Sequence, residues 1–439
     1  MRTVVLLPGI MGSTLAVDGE TVWPPTAAEL VLGYRRIAKL ASPDAVPRDL
    51  IRSVACVPIY QTLVDQLGRW GFAESAAGGP SGRLVGWPYD WRVDLRASAA
   101  KLALFLEQLA RQRAEITLLA HSMGGLVSRC ALELDQPNGS GWRASVRQLI
   151  TMGTPHRGAP IALVYALGLQ GMLGLDAADI KTLAATPGFP STVQLIPPGD
   201  AFGFWSRQAG ALPLQPVDVL APNPFGLGAE NVAAAVELHR ALAGGRPPCR
   251  YFSFVGRELE TAIRGDVLSG PQLDAVKEDD GGDGTVPAWS GTLAGAQFQL
   301  DGDSHIHTFR NASLLATLAE LLEVGPELRA APAAAAPWVT LALPRHVFDP
   351  GETVRASVRV HDTAIAELAL VVHELDETGR EIGPALDTTA VGPVKAGASL
   401  RVDVTLPAEP GLYALAASSA GQALPDEPIR FAVRAPAVH

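Results

Sequence analysis

Charge is scarce in this chain. Asp, Glu, Lys and Arg make up 18% of it against 48% apolar residues, a balance that excludes a disordered chain and suits a well-buried globular one. The charge that is present sums to −10 at neutral pH, so no electrostatic footprint for nucleic acid exists, and charge alone would not hold the chain on an anionic membrane. Cysteine is nearly absent. Cys56, Cys130 and Cys249 leave one thiol over in any pairing and lack metal-site spacing, so buried free thiols in a reducing compartment are expected. Long apolar runs are missing too. One long uncharged stretch, Ala159 to Leu175, is interrupted by Pro160 and three glycines and falls short of a membrane span. At the start, Met1-Arg2 leads into Thr3 to Leu7, which is too short for the apolar core of a signal peptide, so a cytoplasmic location is expected. Nothing in these patterns asks for a cofactor or a metal.

What is present is a set of short apolar runs, each ending in a loop of small residues. With 439 residues the chain exceeds one ordinary core, so two domains are expected. Thr3 to Leu7 and the run that follows Glu115, up to Ala120, are apolar without alternation, as strands buried on both faces of a parallel sheet are. Arg147 to Met152, Tyr251 to Gly256 and Gln297 to Leu300 read as further strands of that sheet. Helical spacing fills Tyr60 to Trp70, Leu95 to Arg113 and Leu314 to Leu322. The alternation of the two predicts an α/β fold built on a mostly parallel sheet.

Ala120-His121-Ser122-Met123-Gly124-Gly125 joins one such strand to a helix. A serine on that tight turn, with small neighbours, is the arrangement of a nucleophile elbow; the usual first glycine is here Ala120. A serine hydroxyl is a poor nucleophile at neutral pH and needs an imidazole to take its proton and an acid to orient that imidazole. Asp283 sits in the Gly- and Asp-rich loop Glu278 to Pro287, whose spacing fails the EF-hand calcium pattern. His305 and His307 both follow the last strand and precede the last helix, and compete for the base, with His305 nearer the strand end. The order Ser122, Asp283, His305 is that of an α/β-hydrolase. Oxyanion donors are expected at the backbone N–H of Met123, just after the nucleophile, and of Ile10 in the loop Pro8-Gly9-Ile10-Met11-Gly12-Ser13. His156, between Pro155 and Arg157 at a strand end, reads as structural. Trp87, Tyr89 and Trp91 form an aromatic cluster that either walls the core or lines a substrate pocket.

Residues from about 159 to 248 are Gly- and Pro-rich and far too many for a loop, which predicts an inserted cap or lid. Proline and alanine dominate 326–337, a linker by composition. Beyond it, 338–434 breaks into six or seven short, partly alternating segments separated by turns such as Asp349-Pro350-Gly351, and an immunoglobulin-like sandwich is expected there. The hydrolase domain would then be 1–325.

Six motifs, taken together, resemble another group. Pro8 to Ser13, Pro88-Tyr89-Asp90-Trp91-Arg92, Ala120 to Gly125, Gly153-Thr154-Pro155, Phe189-Pro190-Ser191 and Gly282 to Pro287 stand in the order found in the lecithin:cholesterol acyltransferase family, which includes lysosomal phospholipases and phospholipid:diacylglycerol acyltransferases. The resemblance runs from about Met1 to Val324. It implies an acyl-enzyme mechanism on lipid esters, with the acyl group passed to water or to an alcohol acceptor, and peripheral membrane contact through the lid. It assigns the triad to Ser122, Asp283 and His305 and the oxyanion donors to Ile10 and Met123. The signal peptide and disulfide-tied lid of secreted members are not visible, and the sandwich lies outside the family core. A non-lipid carboxylesterase, or an inert scaffold whose sandwich binds a partner, are the alternative expectations.

Overall fold

The computed structural model describes residues 1–207, 215–268, 272–293, 295–301, 304–306, 308–329, 339–361, 363–424 and 428–436. Seven strands form the central sheet: β1 (Arg2–Leu7), β2 (Phe72–Ala73), β3 (Gly82–Gly86), β4 (Glu115–His121), β5 (Val146–Met152), β6 (Arg250–Arg257) and β7 (Ala296–Asp301). Their order across the sheet is β7-β6-β5-β4-β1-β3-β2, and every pairing is parallel. Burial on both faces explains the unbroken apolar runs: only the first residue of β4 is exposed, and the rest of it is buried.

Helices cover the sheet as their spacing requires. In α2 (Leu95–Arg111) the buried residues include Leu95, Ala99, Leu102, Leu106 and Leu109, a stripe at three- and four-residue steps. Asp94 caps its start by accepting from the Arg96 N–H. In α1 (Gln61–Arg69) the stripe is Leu63, Val64 and Leu67. The α/β-hydrolase sheet expected from the sequence is present.

The cap is built from two stretches. Between β5 and β6 lie the helices Ile161–Ala166, Ala177–Ala185, Ser191–Gln194 and Ala229–Ala243 and the short strands Phe204–Ser206 and Gln215–Pro216. The second stretch is a long hairpin, Leu259–Val267 with Leu273–Gly282, which joins those short strands in a four-stranded sheet. Among the described residues no helix is long and apolar enough to cross a membrane.

Of the linker 326–337, Pro326–Leu328 forms one 3-10 turn, and 330–337 lie outside the described residues. The C-terminal part is a two-sheet β-sandwich with its own apolar core. One sheet holds Val339–Ala342, Thr353–Val360 and Ser399–Thr405. The other runs Val347–Phe348, Ile429–Val433, Gly411–Ser419, Ile365–Leu375, Glu381–Val394. The sandwich grips the hydrolase part through arginines. Arg359 pairs with the Glu258 carboxylate at 2.7 Å, Arg401 donates to the Glu258 carbonyl at 2.9 Å and to that of Asp279, and Arg430 donates to the Cys56 carbonyl at 2.9 Å.

Cys56 and Cys130 are buried free thiols, as expected, while Cys249 is half-buried and also unpaired. Besides His305, three other imidazoles are buried among the described residues. Burial holds His121, His156 and His346 below the ordinary value of 6.5. A proton therefore binds the unfolded form more readily, so the stabilisation is intact above about pH 6.5 and is lost as pH falls toward the folded values, by up to ~1.4 kcal/mol per unit for each group. Denaturant midpoints followed by tryptophan fluorescence should drop between pH 7.5 and 5.5. Equal midpoints at both would show that these imidazoles do not resist protonation.

Candidate active site

Ser122 sits between β4 and α3 (Met123–Glu133) with φ 52° and ψ −128°. A non-glycine residue there carries strain of about 1–3 kcal/mol and persists only where its surroundings fix it. The Ser122 N–H donates to the Met152 carbonyl at 2.9 Å, and its carbonyl accepts from Gly125 at 3.0 Å. Clearance does the rest. A Cβ on Gly124 would stand 2.4 Å from the Pro8 carbonyl oxygen, and one on Gly9 would stand 2.8 Å from the Ser122 Cβ. The small residues of the two motifs let strand, loop and helix pass each other at van der Waals contact.

The hydroxyl of Ser122 lies 2.8 Å from His305 Nε2, and His305 Nδ1 lies 2.7 Å from Asp283 Oδ2. A carboxylate only accepts, so Nδ1 carries the hydrogen and Nε2 presents its lone pair to the serine. The other carboxylate oxygen, Oδ1, accepts the backbone N–H of Thr285 at 3.0 Å and of Val286 at 2.7 Å. The His305 N–H donates to the Asp283 carbonyl at 2.9 Å, so acid and base are tied through backbone as well as side chain. All three residues are buried or nearly so. His307 lies outside the described residues.

Ile10 occupies the turn after β1, closed by Gly12 donating to the Gly9 carbonyl at 3.1 Å, and its own N–H meets no acceptor among the described residues. Met123 is the first residue of α3, where an N–H has no acceptor within the helix. Both amides thus remain available to a bound oxygen.

The aromatic cluster is corrected in part. Tyr89 and Trp91 are buried struts, not pocket walls: the Tyr89 hydroxyl donates to the Pro8 carbonyl at 2.9 Å and the Trp91 indole to the Ser13 carbonyl at 3.2 Å. Their polar tips find carbonyls at the ends of the Gly-rich loop, which fixes that loop in place. Trp87 stacks on Tyr89 at 5.8 Å and remains half-buried. Arg92 in the same motif is fully buried, paired with Asp90 at 2.7 Å and stacked 4.3 Å from the Phe189 ring, so two of the sequence motifs meet. His156 is buried, with its ring Nε2 3.4 Å from the Thr151 hydroxyl oxygen and its backbone N–H donating to the Ser290 carbonyl at 2.9 Å.

A cavity of 240 Å³ lies on the acid–base side of the triad, between Asp283, His305 and Ile306 and the sandwich residues Leu343, Arg345 and Val354.

Two residues without a role in the sequence reading belong to the site. Tyr60 and His121 are hydrogen-bonded at 2.8 Å beneath Gly9, and His121 reaches the His305 carbonyl at 2.9 Å. The sequence offered one cue, a histidine immediately before the nucleophile.

A strand–elbow–helix serine facing a histidine and an aspartate delivered by later strands defines the class as an α/β-hydrolase. The family model described as Lecithin:cholesterol acyltransferase matches residues 52–220, in line with the resemblance that the motifs carry. The matched stretch includes Ser122 but stops short of Asp283 and His305, whose placement rests on the geometry above. Lecithin-cholesterol acyltransferase-like 4 of Arabidopsis thaliana is 27% identical over 208 residues, 39% of this chain and 37% of that protein. An uncharacterized protein of Saccharomyces cerevisiae is 28% identical over 143 residues, 30% of this chain and 20% of that one. The matches therefore span well under half the length of these curated relatives. Among solved structures, the Bacillus licheniformis lipase BlEst2 aligns over 73% of this chain and 91% of its own with a TM-score of 0.37 and 14% identity.

Gly153 tests the geometry directly. It has φ +57°, and an added Cβ would stand 2.9 Å from Asp283 Oδ2 and 3.0 Å from His305 Nδ1. Gly153→Ala should displace the acid–base pair and slow labelling of Ser122 by a fluorophosphonate about a hundredfold, with the far-ultraviolet dichroism retained. Unchanged labelling would mean that the pair does not set the reactivity of the serine.

Proposed function

We propose that this chain is a serine-dependent lipid acyl-ester hydrolase or O-acyltransferase working through Ser122, His305 and Asp283. The observation that carries this reading is the hydrogen-bond chain from Ser122 Oγ through the His305 ring to Asp283, on an elbow whose backbone is held at positive φ.

In the first half-reaction Ser122 Oγ attacks the acyl carbonyl while His305 Nε2 takes its proton. Asp283 holds the imidazole tautomer and stabilises the imidazolium that develops. Negative charge on the former carbonyl oxygen meets the N–H groups of Ile10 and Met123, each such donor being worth about 3 kcal/mol of barrier. The imidazolium then returns its proton to the departing alcohol, and the acyl group stays on Ser122. In the second half, water or an acceptor alcohol gives a proton to His305 and attacks the acyl-enzyme, and the imidazolium returns that proton to Ser122 Oγ as the acyl bond to it breaks.

The family match supports a lipid ester as acyl donor. On the cap, Leu169 and Phe202 are exposed apolar side chains, which supports contact between that face and a lipid surface. We read residues 1–325 as the hydrolase domain, with a lid at about 159–248, and 338–434 as an immunoglobulin-like domain. The strand order of its two sheets supports that reading.

A fluorophosphonate should add one equivalent to the protein, and Ser122→Ala should abolish both the adduct and turnover, by at least about a thousandfold. Product analysis with a labelled glycerophospholipid, with and without a long-chain alcohol, separates fatty acid release from ester formation. A Ser122→Ala protein that keeps its activity would sink the mechanism.

A further inference from the structure

Tyr60 and His121 form a one-way hydrogen-bond chain between the two loops that the reaction uses. His121 Nε2 lies 2.9 Å from the carbonyl oxygen of His305, and a carbonyl only accepts, so the ring hydrogen is on Nε2. The Nδ1 lone pair is then left to accept, and Tyr60 supplies its O–H at 2.8 Å. The tyrosine oxygen in turn accepts the N–H of Gly9 at 2.7 Å. Every hydrogen points the same way: Gly9 N–H to Tyr60, Tyr60 O–H to His121, His121 Nε2–H to the backbone of His305.

We propose that Tyr60 and His121 are positioning residues that set the oxyanion loop and the base loop in mutual register, holding the Ile10 amide and the His305 ring for the same reacting centre. The inference rests on the acyl-transfer reading above. Gly9 is the residue before Ile10, and the His305 carbonyl belongs to the residue whose ring faces Ser122. Because the two partners are buried, no water replaces a broken link. Phe309 closes the remaining side, with its ring 5.0 Å from that of His121 and 5.5 Å from that of Tyr60. The groups that face His121 are Tyr60, the His305 ring at 4.8 Å and, beyond it, Asp283. Burial first, and the neighbouring imidazole next, press its pKa down to about 3, which keeps the Nδ1 lone pair available throughout the working range.

Tyr60→Phe removes one oxygen and strands both the Gly9 N–H and His121 Nδ1. With an activated acyl ester, kcat per fluorophosphonate-titrated site should fall about ten- to a hundredfold, with KM within about twofold. His121→Phe, which keeps the ring and loses both polar atoms, should show the same loss. His121→Gln, which keeps one donor and one acceptor, should recover most of it. Normalising to titrated sites separates this from a purely structural role, which would lower the number of competent sites and leave their turnover alone. In the wild-type protein, nitrogen NMR should show His121 neutral with its hydrogen on Nε2 from pH 5 to 9. Wild-type kcat per site in Tyr60→Phe and His121→Phe would overturn the proposal, as would a His121 that titrates within that range. Absence of labelling in the wild-type protein would instead refute the acyl-transfer reading itself.

Discussion

The backbone of Ser122 is held in a conformation that few side chains adopt, and most of the site follows from keeping it there. Positive φ turns the hydroxyl out of the strand end, but it also forces the start of α3 toward the loop after β1. Gly124 is what allows that approach, since a Cβ would stand 2.4 Å from the Pro8 carbonyl oxygen, a backbone atom that cannot swing away. Gly125 does the same against Thr154, where a Cβ would meet the side-chain oxygen at 2.1 Å. The glycines of the motif are thus clearances toward two different neighbouring loops. Ala120, at the place of the usual first glycine, is fully buried between Leu7 and Thr151 in the sheet.

With the nucleophile fixed, the acid and base must be brought to it from distant parts of the chain. Asp283 closes the hairpin Leu259–Gly282, and that hairpin is held at its base from outside the hydrolase part. Glu258, itself at φ 66°, receives Arg359, Ser399 and Arg401 of the sandwich, and the same Arg401 reaches the Asp279 carbonyl. Gly256 then gives room for the acid, because a Cβ there would stand 2.4 Å from that of Asp283. The sandwich therefore bears on the segment that delivers the acid, and the cavity between Asp283 and Arg345 lies along the same contact.

Much of this was legible in the sequence, for a physical reason. Strands buried on both faces of a parallel sheet must be apolar throughout, so β1, β4 and β5 announced themselves, and the loops at their carboxyl ends carried Ile10 and Ser122. Asp283 was readable from its Gly- and Asp-rich loop and its place in the chain order, and His305 from its position just past the last predicted strand. The hairpin was not, since much of Leu273–Gly282 is exposed and acidic, and its strand character comes from pairing with Leu259–Val267 rather than from burial. The strand Glu381–Val394 was hidden by Pro384 and Pro393, which an edge strand tolerates and a central one does not. The fate of Tyr89 and Trp91 depended on which carbonyls stood above them, and that is set only in three dimensions.

The same limit applies to Tyr60 and His121, and it bears on why polar residues occupy so dry a place. Apolar side chains could fill the space between the oxyanion loop and the base with less cost in desolvation. Such packing is non-directional, however, and would tolerate small slides of one loop against the other. A chain of donors and acceptors has a single arrangement that satisfies every link. Here each link is anchored at an end that cannot rotate, the Gly9 N–H on one side and the His305 carbonyl on the other. Keeping His121 neutral is what makes the arrangement unique, because a second ring proton would face the Tyr60 hydrogen and reverse one link. Desolvation thus acts twice at this position: it makes an unsatisfied group costly, and it suppresses the protonation that would create one.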